Sequence, residues 1–102
     1  MDRRLELHEK LKELLGSNNV YFQAPASKHM DYPCIRYSRS SVDSDYADDM
    51  NYRHTMRYEL IVIDPDPDSQ IYEKILESFS KCVYNRSYQS DYLNHDVLLL
   101  YY

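Results

Sequence analysis

Between residues 52 and 63 two sets of side chains alternate without a break. Tyr52, His54, Met56, Tyr58, Leu60 and Val62 take one side, and Arg53, Thr55, Arg57, Glu59, Ile61 and Ile63 take the other. A period of two marks a strand, because successive side chains leave opposite faces of the pleated backbone. The first set reads as a core face. The second is charged at its start and apolar at its end, so the later half of this strand is expected to be covered on both sides. Such a strand belongs inside a sheet and requires neighbours.

Candidate neighbours are visible on both sides. A short strand is predicted over residues 20–23, closed by Pro25, and a second over 34–40, introduced by Pro33. In the second, Ile35 and Tyr37 share one face while Arg36 and Ser38 share the other. Two more strands, over 83–92 and 94–102, are predicted to meet at a tight turn around 91–94. The last stretch, Tyr92 to Tyr102, is apolar enough that burial is expected, in the domain's own sheet or against another subunit.

Two helices complete the pattern. Over residues 3–15, Leu7, Leu11, Leu14 and Leu15 fall on one face, opposite Glu6, Glu9, Lys10 and Glu13, and Gly16 stands where a left-handed C-cap is wanted. A second helix is predicted over 66–81, with Asp66 as N-cap, Pro67 in the first helical position and Asp68 adding favourable charge to the first turn. Its apolar face would hold Ile71, Ile75, Leu76 and Phe79. The order helix, strands, helix, strands predicts an α+β fold: a four- to five-stranded, mainly antiparallel sheet with two helices packed on one face, in a single domain spanning residues 1–102. The second helix is expected to cross the sheet face.

Composition narrows the function. The only glycine is Gly16, which excludes a glycine-rich phosphate loop or dinucleotide fingerprint. Seventeen acidic and twelve basic side chains give a net charge of −5, which disfavours binding driven by phosphate neutralisation. No apolar run approaches the roughly 18 residues of a membrane span, and the charged N-terminal residues lack a signal-peptide core. Cys34 and Cys82 form no CxxC unit or zinc pattern and are expected to be reduced thiols, a single bridge being the alternative. Twelve tyrosines, eleven of them outside the two helices, suit strands and also suit protein interfaces.

Two motifs invite catalytic or metal readings. Asp64-x-Asp66-x-Asp68 opens like a calcium loop, yet the sixth position is Ser69 where a glycine is needed and the twelfth is Ile75 where a bidentate Glu is needed. His95-Asp96 resembles a dyad, but adjacent strand residues point to opposite faces. His8, His29 and His54 show no metal-ligand spacing. No catalytic, cofactor-binding or metal-ligating residue is expected.

Residues 41–51 carry Asp43, Asp45, Asp48 and Asp49 and no basic residue. Arg36, Arg39, Arg53 and Arg57 flank them. Were the flanking strands neighbours, these arginines would form a basic band beside an acidic loop. That arrangement suits an electrostatic contact between identical copies of the chain, where the loop of one meets the band of the next.

Pro33-Cys34-Ile35-Arg36-Tyr37, the long strand ending at Asp64, Asp66-Pro67-Asp68-Ser69, Asn85-Arg86-x-Tyr88 and the segment from Leu93-Asn94-His95-Asp96-Val97 to Leu100-Tyr101-Tyr102 together resemble the small neck and tail-completion proteins of long-tailed bacteriophages. Within that group the chain is most similar to tail terminator (tail-to-head joining) proteins, over nearly its whole length. The resemblance implies an α+β virion subunit, made in the host bacterial cytoplasm, that forms a hexameric ring. The ring caps the tail tube, stops its growth, meets the major tail tube protein and the head-completion or connector protein, and lets DNA through without specific binding. No enzymatic activity, cofactor or membrane partner is implied. The alternatives are a head-completion adaptor, a small hydrolase or nuclease using His95, and a dimeric binding module.

Overall fold

A computed structural model describes residues 3–25, 27–40 and 56–102. The elements are α1 (Arg3–Leu15), β1 (Val20–Phe22), β2 (Cys34–Arg39), β3 (Arg57–Asp64), α2 (Ile71–Ser78), β4 (Cys82–Ser90) and β5 (Leu93–Tyr101). The strands form one five-stranded sheet in the order β1-β2-β3-β5-β4. β1 runs parallel to β2, and every other pairing is antiparallel. The sheet is therefore mixed and the fold α+β.

α1 has the bounds its leucine spacing predicts. Leu7 and Leu11 have no exposed surface, while Leu14 and Leu15 pack against the core from its margin. Complete burial of one leucine side chain contributes on the order of 1.5–3 kcal/mol. The helix stops at Gly16, whose φ of 81° is left-handed and whose N–H donates to the Lys12 carbonyl at 2.9 Å. A side chain there would meet nothing within 4 Å, so the glycine answers the backbone angle alone.

The central strands carry the core. Register pairs Ile35 with Val62 and Tyr37 with Leu60 across β2 and β3, and Tyr58 with Leu100 and Leu60 with Leu98 across β3 and β5. These residues form one buried cluster with Leu7, Leu11, Val20, Ile75 and Phe79. On the opposite face Cys34, Ile63 and Val97 are also buried. The later half of β3 is thus covered on both sides, as its sequence predicts. Of the residues expected at its start, 52–55 lie outside the described residues, and Met56 precedes the strand. Met56 still exchanges two backbone hydrogen bonds with Tyr102, at 3.1 and 2.9 Å.

The second helix is shorter than predicted and its cap is elsewhere. It begins at Ile71 after the N-cap Gln70, which makes no side-chain cap bond. The aspartates are used in turns instead. The Asp66 N–H donates to Asp64 Oδ1 and the Asp68 N–H to Asp66 Oδ1, each at 2.9 Å, and the Ser69 N–H reaches the Asp66 carbonyl at 3.3 Å. An aspartate accepting from the N–H two residues on makes an Asx turn with the same chemistry it would use as an N-cap, so the residue type alone does not separate the two. At the other end Phe79 is extended and buried, which ends the helix before Lys81.

α2 joins β3 to β4, and β5 lies between those two strands. Because both are antiparallel to β5, β3 and β4 run parallel to each other, and the chain returns through β5 to fill the gap. The β4–β5 connection is the two-residue turn Asp91-Tyr92, with φ of 53° and 64°. Positive φ at both positions is the type I′ pattern that matches the twist of a hairpin. The two cysteines are free, on β2 and β4. Three strand spacings of roughly 4.8 Å separate those strands, so a bridge between them is excluded. Burial raises both thiols to about 11.

Candidate interaction surface

Asp43, Asp45, Asp48, Asp49 and Arg53 lie outside the described residues. The other three predicted contact residues are placed by β2 and β3, which are neighbours. Arg36 and Arg57 share one face of the sheet, with Glu59 on the same face between them, while Arg39, paired with Tyr58, is on the other. Arg36 Nη2 donates to the Ala24 carbonyl at 2.9 Å, and Arg57 Nε donates to Ser40 Oγ at 3.0 Å. The strands bring two of these arginines to one face and leave the third opposite.

His95 and Asp96 leave β5 on opposite faces, as their adjacency predicts. His95 stacks on Tyr88, with ring centroids 4.5 Å apart and planes 10° from parallel, and its Nδ1 lies 3.2 Å from the Leu93 carbonyl. Asp96 accepts from the Tyr84 hydroxyl at 2.7 Å. His8 Nδ1 is bonded to the Tyr37 hydroxyl, and His29 pairs with Asp31. Among the described residues no group of three or more His, Cys, Asp or Glu side chains is arranged to hold a metal ion.

A cleft of about 690 Å³ opens between the turn ahead of α2 and the β4–β5 hairpin. Asp66, Asp68, Glu73, Tyr72, Tyr84 and Asp96 are among its walls. Tyr72 and Tyr84 meet edge to face at 5.2 Å. The Tyr72 hydroxyl donates to Glu73 at 3.2 Å, and that bond to a carboxylate raises the phenol above its ordinary value. Asn94 ties the hairpin to the turn, donating to the carbonyls of Asp64 at 3.2 Å and Pro65 at 3.4 Å and accepting from Gln89 at 2.8 Å.

The hairpin is the most open part of the described surface. Every residue of β4 after Cys82 is exposed. Tyr84 and Tyr88 each expose 41% of their surface, Val83 56% and Tyr92 99%. Among the described residues β4 is also the last strand of the sheet, paired with β5 alone.

No family model, curated protein or solved structure matches the chain.

Sequence reasoning placed the strand over 83–92 but missed that it is an edge. The signal was present. Asn85, Arg86, Ser87, Gln89 and Ser90 put polar groups on both faces, whereas β5 is apolar on both over 97–100. A strand without an apolar face belongs where little covers it. Among the described residues no helix is long and apolar enough to cross a membrane.

Proposed function

We propose that this chain is a structural subunit of a bacteriophage tail, acting as a terminator that caps the tail tube as a ring and offers a docking surface to the head. The observation that carries the reading is the tyrosine-rich β4–β5 hairpin. Val83, Tyr84 and Tyr88 are turned to solvent on an edge strand of nine residues, and Tyr92 in the turn that follows it. Tyrosine combines a large apolar ring with a polar tip and is enriched where proteins meet. A domain of this size that leaves such a surface open is suited to contact.

The acidic balance fits the same role. A charge of −5 gives a wall that repels DNA and does not retain it. Arg36 and Arg57, on one face of the sheet with Glu59 between them, supply charged side chains of both signs for a neighbouring copy or for the tube.

Purified particles test the assignment. The chain is expected in the virion in few copies relative to the tube protein, at the head-proximal end of the tail, as seen by labelled electron microscopy. Its absence from purified particles would remove the proposal.

A further inference from the structure

The two edges of the sheet are unequal. β1 offers three residues and is followed by Gln23, whose φ of 48° leaves the extended conformation. β4 offers nine, with no proline, no lysine and one charge, Arg86. An edge strand presents a row of unpaired N–H and C=O groups, and proteins ordinarily blunt such a row with charge, proline or a bulge. Here the register shifts between Tyr84 and Arg86, leaving Asn85 as the irregular residue. That irregularity breaks the first half of the edge. The second half, from Arg86 to Ser90, remains a regular five-residue run with only its first residue charged.

We infer that two copies of this chain pair through the free edges of their β4 strands, antiparallel, about a two-fold axis at Tyr88. The other edge is too short to accept this run, so the matching strand in a second copy is β4 itself. Centring the pairing on Tyr88 uses the whole regular run and stops short of the irregularity at Asn85. It sets Arg86 opposite Ser90 and Ser87 opposite Gln89 of the second copy, so no like charges face each other. It sets Tyr88 opposite Tyr88, an aromatic cross-strand pair of the favourable kind. Tyr88 is held for this by its stack on His95, which fixes the ring on one face of the sheet while 41% of its surface stays open. The contact is isologous, so each copy satisfies the other's backbone groups with one surface. The inference rests on the edge and concerns the free chain, so it stands or falls apart from the tail-assembly reading.

Sedimentation equilibrium of the full chain tests it, with two substitutions that place new groups on the axis. The mass should rise with concentration from 12.3 kDa towards twice that value. Tyr88→Lys puts two ammonium groups opposite each other and should weaken association about tenfold, whereas Val83→Lys, beyond the irregularity, should leave it unchanged. Tyr88→Cys should cross-link two chains under mild oxidation, since directly opposed Cα atoms lie about 4.5–5.5 Å apart, within the span of a disulfide, and Val83→Cys should not. Circular dichroism confirms that each variant is folded, and the Cys variant keeps the test alive if the Lys variant is not. A single-chain mass at every concentration would overturn the inference, as would a dimer that Tyr88→Cys fails to cross-link.

Discussion

His8 on α1 and Tyr37 on β2 share a hydrogen bond of 2.7 Å, and their rings sit 5.7 Å apart. Tyr37 is 1% exposed and also packs against Phe22 at 4.9 Å and Tyr58 at 5.9 Å. Its hydroxyl is the polar end of a buried aromatic column, and α1 supplies its partners, His8 and also Arg4, whose Nη1 donates to it at 3.4 Å. Tyr37→Phe keeps the column and removes the hydroxyl that His8 and Arg4 share. It should cost about 1 kcal/mol, read as a lower urea midpoint with an unchanged slope.

The same pair sets a pH dependence. Burial, and next the Arg4 charge, hold His8 below its ordinary value. The folded chain therefore binds a proton at His8 less readily than the unfolded chain does, and stability rises with pH across the window between the two values. The contribution is intact above about pH 6.5, the unfolded value, and is lost as pH falls below it. Melting temperatures measured from about pH 7.5 down to about pH 5.5 should fall less steeply for His8→Gln than for the unaltered chain.

Tyr92 carries a backbone angle that glycine would hold without strain. Its φ is 64° and its side chain is 99% exposed, so little packing is lost on removing it. A non-glycine residue in the left-handed region costs about 1–2 kcal/mol, part of which the added freedom of an unfolded glycine cancels. Tyr92→Gly should stabilise the fold by about 0.5–1 kcal/mol in urea unfolding.

The thiols should be slow. Cys34 is fully buried, Cys82 is half-buried, and burial raises both to about 11. Labelling of the folded chain by a thiol reagent at about pH 8 should lag far behind the denatured chain, whose thiols titrate near 8.5. Cys82 should react before Cys34.

Leu60 pairs with Tyr37 on one side and Leu98 on the other, with no exposed surface. Leu60→Ala leaves a hole that neither flanking strand can close without breaking register. A loss of about 2–5 kcal/mol is expected, read from the same urea curves.

What the sequence revealed follows the range of the forces that decide it. α1 was legible because leucine spacing and Gly16 act within a few residues of each other. The faces of β2 and the two-sided burial of Ile63 were legible because alternation is local. The start of α2 was not, since Asp64 and Asp66 close Asx turns with the groups a cap would use. The parallel placement of β1 and the insertion of β5 between β3 and β4 depend on pairings between distant segments, which no short window contains. For the contact surface, neighbouring strands could be proposed for Arg36 and Arg57, but the opposite facing of Arg39 needed the register. The open edge of β4 was written in its two polar faces and became readable only once the strand order was known.

Electron microscopy of phage lacking this chain bears on the proposed terminator role without an intermediary. Removal of a tube cap should yield tails that grow past their normal length and carry no head. Tails of normal length, whether beside unjoined heads or on complete particles, would contradict that role.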